Sequence, residues 1–129
     1  MILKSSIKTY FYYLISLIFL NFFGCDFNKK QATSTSKLLI GSWLDRSKAK
    51  LHFTLLENGV AKSDNMETLV YKSWSVRNDS LFLKVKSIGN RTHFESIEAY
   101  KIDTLDANIL VLHSKNFKMS YTRKKEKQL

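Results

Sequence analysis

Cysteine is nearly missing from this sequence, where Cys25 stands alone. A single thiol excludes an intramolecular disulfide and a zinc site built from cysteines. Histidine is scarce too. His52, His93 and His113 fall on separate stretches, each beside an apolar neighbour of opposite strand parity (Leu51, Phe94, Leu112). Solvated strand histidines fit that placement better than ligands, which need two or three on one face with a carboxylate. No metal and no cofactor is expected. Ser-His-Asp order, a phosphate loop and a nucleophile elbow are all lacking. Glu95 and Glu98 lie three apart on one strand-like stretch, so they point to opposite faces and form no acid/base pair. The chain is therefore not expected to be an enzyme, and no catalytic residue is assigned. Acidic residues are in the minority, 11 against 21 basic ones, for a net charge of +10. Such a balance suits nucleic acid, an anionic membrane surface, or solubility alone.

The start of the chain has its own character. Met1 to Lys8 carries the amino terminus, Lys4 and Lys8, and Tyr10 to Phe23 is apolar apart from Ser16 and Asn21. That run is short of the roughly 20 residues of a spanning helix and fits the apolar core of a signal peptide. One reading is a leader over 1–24 that is removed; the other is an uncleaved anchor with Cys25 as a bystander. Asp26 to Ser36 is polar, lacks periodicity and ends in Thr33-Ser34-Thr35-Ser36. Residues 25–36 are thus expected to form a flexible tether, with a mean reach of roughly 18 Å. Lys29 and Lys30 either contact anionic headgroups or are simply solvated.

Gly24-Cys25 after such a run resembles the bacterial lipobox, although Phe22 and Phe23 replace its usual Leu and small residue. The resemblance implies cleavage before Cys25 and a diacylglyceryl thioether on it. Lipidation at Cys25 implies a protein of the bacterial cell envelope, anchored to a membrane and facing the periplasm. The outer membrane is favoured, although Asp26 after the cysteine holds some such proteins in the inner one. The membrane is then the expected partner, and nucleic acid is not.

From Leu38 on, no 11-residue window has a clean helical face, and turn residues recur every 8–12 positions. Strands are expected over Gly41–Asp45, Lys50–Leu56, Val60–Ser63, Thr68–Arg77, Ser80–Lys86, Thr92–Asp103, Ile109–His113 and Phe117–Arg123. Asn58-Gly59, Asn78-Asp79 and Gly89-Asn90 supply turns. Short links allow only antiparallel neighbours. The expected fold is all-β, an eight-stranded antiparallel up-and-down meander closed into a barrel over 37–124, with a basic tail over 125–129. A two-sheet sandwich is the alternative.

Gly41-Ser42-Trp43 on the first strand and Arg123 ending the last resemble the lipocalin signature. Three later blocks are similar to the short lipocalin-like domains of bacterial lipoproteins: Phe53 to Ser63, Asn65 to Trp74, and Lys86 to Asn90. The likeness spans Leu38 to Arg123. It implies a barrel whose floor Trp43 closes, with Arg123 packed across it. An eight-strand barrel is just wide enough to be filled by side chains or to hold one small ligand. Trp43, Phe53, Trp74, Leu83, Phe94, Tyr100, Leu112, Met119 and Tyr121 are expected to fill much of it. Phe53, Trp74, Phe94, Glu98, Tyr100 and Tyr121 are the candidate ligand-lining residues. Glu98 would orient a polar head or pair with a buried cation. Lys84, Lys86 and Arg91 form a basic edge that reads as a solvated face. The function expected is a membrane-tethered protein that binds a small hydrophobic or amphipathic molecule. The alternative is a filled barrel acting as a structural or protein-interaction module of the envelope.

Overall fold

The computed structural model describes residues 27–127, with side chains from Ala32 onward. The expected leader 1–24, the lipidation site Cys25 and Asp26 lie outside the described residues. One helix, α1 (Phe27–Leu39), precedes eight strands: β1 (Gly41–Asp45), β2 (Phe53–Leu55), β3 (Ala61–Ser63), β4 (Leu69–Arg77), β5 (Ser80–Gly89), β6 (Thr92–Leu105), β7 (Ile109–Ser114) and β8 (Phe117–Arg123).

The helix corrects the expected tether. Phe27–Ser36 is helical, not a loose linker. No Gly or Pro interrupts it, and Lys29, Lys30, Gln31, Ala32, Leu38 and Leu39 all favour helix. Thirteen residues are marginal as an isolated helix, so the end matters. There Leu39 is fully buried, Trp43 Nε1 donates to its carbonyl at 2.8 Å, and Arg123 donates to the carbonyls of Leu38 and Ile40. These bonds satisfy carbonyls that a helix terminus leaves without partners. A cation at the helix C-terminus also suits its dipole.

The strands form one antiparallel sheet in the order β3-β2-β1-β8-β7-β6-β5-β4. Pairing of β1 with β8 joins the two ends of the chain, with Trp43 opposite Arg123. The sheet curls into a nearly closed barrel, and only the β3–β4 seam lacks a ladder. That seam is stitched instead by single bonds. Trp74 N donates to Gly59 O at 2.9 Å, and Trp74 Nε1 donates to Leu56 O at 2.8 Å. Ser63 Oγ accepts from Tyr71 N at 2.9 Å and donates to Leu69 O at 2.7 Å. Gly59 has φ +79°, a conformation that costs glycine nothing.

The core lies inside the lower part of this barrel. Trp43, Phe53, Leu55, Leu81, Leu83, Val85, Leu110 and Leu112 are essentially inaccessible to solvent. Each large apolar side chain buried this way contributes about 1.5–3 kcal/mol. Phe53 packs edge-on against Tyr121 at 4.9 Å and Tyr71 at 5.6 Å between ring centres.

Three details differ from expectation. Strand β2 spans Phe53–Leu55 rather than Lys50–Leu56. Lys50 adopts φ +52°, and Leu51 N turns aside to bond the Asp45 carboxylate at 2.9 Å. The β5–β6 turn is centred on Asn90-Arg91, both at positive φ, while Gly89 pairs with Thr92 inside the ladder. Finally, Phe94 has the inward parity expected of it but does not fill the barrel, because it is 72% exposed.

Candidate functional site

An antiparallel meander sends alternate turns to opposite ends, which here differ sharply. At the floor are the start of β1, the end of β8 and the connections Leu56–Val60, Asn78-Asp79 and 106–108. At the mouth are the β1–β2 loop (46–52), the β3–β4 loop (64–68), and the turns Asn90-Arg91 and Lys115-Asn116.

The floor is built from the signature residues. The Arg123 guanidinium lies 4.2 Å from the Trp43 ring centre, an arrangement worth about 0.5–2 kcal/mol. Its Nε donates to Ala107 O, so all three nitrogens hold backbone carbonyls. Gly41 is required at this point. Its φ is +131°, and a Cβ there would sit 2.4 Å from Arg123 Nη1. An open groove of about 1130 Å³ lies outside this end, bordered by Gly41, Leu55, Glu57, Asn108 and the tail Lys124–Lys127. Arg123 also borders it, with each of its three nitrogens bonded to a backbone carbonyl of the fold.

The mouth is unsealed. Strand β6 pairs with β5 along Thr92–Lys101 but with β7 only from Lys101 to Leu105. Thr92–Tyr100 therefore projects past the end of β7 with one edge unpaired among the described residues. Its inward-facing Ser96, Glu98, Tyr100 and Ile102 are all partly exposed, whereas Leu81, Leu83 and Val85 on neighbouring β5 are buried. This difference marks the less enclosed side of the interior, along β6. Phe94 and Phe117, 72% and 53% exposed, lie at the mouth ends of β6 and β8 and form the lip of the barrel there. Leu69 and Met119, both half-buried, share the inward face.

Below the lip sit three tyrosines. Tyr100 Oη donates to Glu98 Oε2, and Tyr121 Oη donates to Met119 Sδ at 3.4 Å. Burial, with the Glu98 and Asp45 charges adding to it, pushes the Tyr71 hydroxyl up to about 12. Burial and the Glu98 bond raise Tyr100 as well, and burial followed by the Tyr71 and Asp45 interactions raises Tyr121. All three hydroxyls stay protonated at neutral pH, with the protons of Tyr100 and Tyr121 already given to Glu98 and Met119.

Asp45, only 5% exposed, ends β1 under the mouth. Burial alone would raise its carboxyl. Bonds from Ser47 N, Leu51 N and Ser47 Oγ, with His52 nearby, outweigh that and hold it below the ordinary value. The Ser47 bonds are 2.8 Å each. His52 Nδ1 accepts from Asp45 N at 2.9 Å, so this imidazole fixes the loop. Among the described residues no group of three metal-ligating side chains occurs.

Of the candidate lining residues, Phe94, Glu98 and Tyr100 share the inward face of β6, where Tyr100 bonds Glu98, while Tyr121 is buried in the core. Phe53 and Trp74 are packed there too. Reasoning from sequence missed Tyr71 and Asp45. The signal for Asp45 was its spacing to Ser47, a pattern that turns the backbone at strand ends. Lys84 and Glu95 form a half-exposed ion pair at 3.1 Å on the outer face.

Comparison with known proteins agrees with this architecture. No curated protein matches the chain. A solved structure described as a lipocalin-like protein from Bacteroides thetaiotaomicron VPI-5482 is similar at 35% identity and a TM-score of 0.62, covering 67% of this chain and 97% of that one. The family model described as "Lipocalin-like" matches residues 35–124, well over half of the chain, and the chain belongs to the lipocalin-like family.

Proposed function

We propose that this protein binds a small hydrophobic or amphipathic molecule in the mouth of its barrel while tethered by acylated Cys25 to a bacterial envelope membrane. The observation that carries the binding reading is the asymmetry of exposure. Inward-facing Phe94 and Phe117 are largely solvent-accessible, and aromatic surface left open at the end of a barrel beside a few polar groups is what small-molecule sites present. Tyr100 and Glu98 supply the few polar groups that would orient a ligand. Leader cleavage before Cys25 and acylation there account for the basic start, the apolar run and Gly24-Cys25. Two or more acyl chains hold a protein to a membrane, at about 0.8 kcal/mol per buried methylene.

Both halves are testable on the full chain. Native mass spectrometry after extraction, with uptake of a fluorescent fatty-acid probe, should show a bound small molecule; no co-purifying mass and no uptake would refute the binding reading. Labelled palmitate should enter the protein, and Cys25→Ser should abolish both labelling and membrane retention. Labelling that persists in the variant would refute the anchor.

A second reading is favoured by one observation. The unpaired edge of β6 carries Ile97, 71% exposed, and such edges accept an added strand from another chain. Crosslinking from residue 97 in intact cells would capture that envelope partner, and the absence of any adduct would count against it.

A further inference from the structure

The chain enters and leaves this barrel by the same end. The last turn of α1 is held to the floor by the bonds of Arg123 to Leu38 O and Ile40 O. Strand β8 ends beside β1, where Lys124 N donates to Ser42 O at 2.9 Å. The open groove lies here. Strand β1 starts only at Gly41, while the chain of β2 and of β8 runs on past it as Leu56-Glu57 and the tail Lys124–Lys127. The groove is the slot between them. Ile40, Leu55 and Leu56 give it an apolar side, and Arg123, Lys124, Lys125 and Lys127 outnumber Glu57 and Glu126. The three tail lysines are exposed, as are Lys37 and Leu38 in the last turn of α1. Of the other acids at this end, Asp106 is turned onto its own loop, accepting from Asn108 N and Ile109 N at 2.7 Å each. Asp79 lies in the β4–β5 turn, on the far side of the sheet from β1.

From this arrangement we infer that the floor is a docking face for the anionic phospholipid headgroups of the leaflet that carries the anchor, with the mouth held facing away from it. The inference deepens the anchor reading of Cys25 and rests on it. The mouth is basic too, with Arg46, Lys48, Lys50, Arg91 and Lys115 against Asp64 and Glu67, so charge alone does not choose between the ends. Chain length does. Cys25 stands two residues ahead of α1, whose 13 residues span about 20 Å. The floor therefore stays within about 30 Å of an acylated Cys25. Strand β5 has ten residues, which at the usual barrel tilt separates mouth from floor by about 25 Å. The potential of an anionic leaflet fades within about 10 Å, so it acts on the end that the tether brings close. There each lysine favours the surface about five-fold, and Lys124, Lys125 and Lys127 together about a hundred-fold. The apolar side of the slot and exposed Leu38 suit the boundary between headgroups and acyl chains.

The test uses the full chain as the cell processes it, reconstituted into vesicles that carry a rhodamine-labelled lipid, with a donor dye on one added cysteine. Ala107→Cys reports the floor and Asn116→Cys the mouth; both side chains are exposed. Energy transfer to the membrane should be stronger from position 107 than from position 116 in vesicles containing phosphatidylglycerol. The difference should vanish in pure phosphatidylcholine or at high salt. The tail variant Lys124→Gln, Lys125→Gln, Lys127→Gln should lower the ratio of docked to undocked protein about a hundred-fold, again removing the difference. The mouth variant Lys48→Gln, Arg91→Asn, Lys115→Gln should leave it intact. Asn is chosen at position 91 because it tolerates the positive φ there. Protein retained on the vesicles with equal transfer from both positions, or stronger transfer from position 116, would overturn floor docking and leave the anchor standing. A difference that survives in the tail variant, or is lost in the mouth variant, would overturn it as well. Dye uptake by the unsubstituted protein, whose one thiol acylation should block, together with its loss from phosphatidylcholine vesicles, would overturn the anchor and the docking with it.

Discussion

The two ends of this barrel are made of similar residues and do opposite things with them. At the floor, an aromatic ring and a cation are locked together. Trp43 lies under Arg123 at 4.2 Å, and the indole and guanidinium nitrogens all donate to backbone carbonyls. At the mouth, Phe94 and Phe117 lie open to solvent, and no described residue pairs the Thr92–Tyr100 edge of β6. Aromatic and cationic side chains whose nitrogens are bonded into the fold serve stability. The same types left unused are available to a ligand.

That contrast can be broken most forcefully at the floor. Arg123→Met keeps the aliphatic stem but removes the fork, leaving the Leu38, Ile40 and Ala107 carbonyls without their partner. A loss of about 3–4 kcal/mol in urea unfolding is expected, from charged hydrogen bonds together with the cation–indole contact. Gly41→Val should cost slightly less, about 3 kcal/mol, from strain at φ +131° and displacement of the guanidinium. A floor that tolerates both substitutions would not be the fold's anchor.

A smaller effect is expected between the two ends, at Asp45. Asp45→Asn should destabilise the protein by about 1–2 kcal/mol at neutral pH. Because the folded carboxyl is held below its ordinary 3.8, its contribution is complete above that value. It is lost as pH falls through the lowered folded value. The gap in urea midpoint between Asn variant and parent should therefore close below about pH 3.8, and a gap that widened in acid would contradict the assignment.

The strands were readable from sequence because one face alternates and turns are marked chemically, as at Asn58-Gly59 and Asn78-Asp79. The helix was not, since the bonds that hold its C-terminal end come from Trp43 and Arg123, which lie outside it. Tyr71 was hidden by a bulge. Counting by twos back from Trp74 puts Lys72 and Val70 inside, but the register shifts between Tyr71 and Ser73 and brings Tyr71 and Leu69 inward instead. A second shift between Ile102 and Thr104 does the same for Leu105. The exposure of Phe94 was illegible for a different reason. Its parity is local, but whether anything covers it depends on where β7 stops. Strand alternation thus identifies the faces, while the open part of the site arises from the unequal lengths of β6 and β7.

The smallest effect on stability, and the most direct test, comes from the lip itself. The double variant Phe94→Ser, Phe117→Ser should leave the urea midpoint unchanged to within about 0.5 kcal/mol, since both rings are already mostly in water. Its affinity for the fluorescent fatty-acid probe should fall about ten-fold or more as the apolar contact is lost. Unchanged probe affinity, or a loss of stability on the scale expected at Arg123, would contradict the division of this barrel into a floor that holds and a mouth proposed to bind.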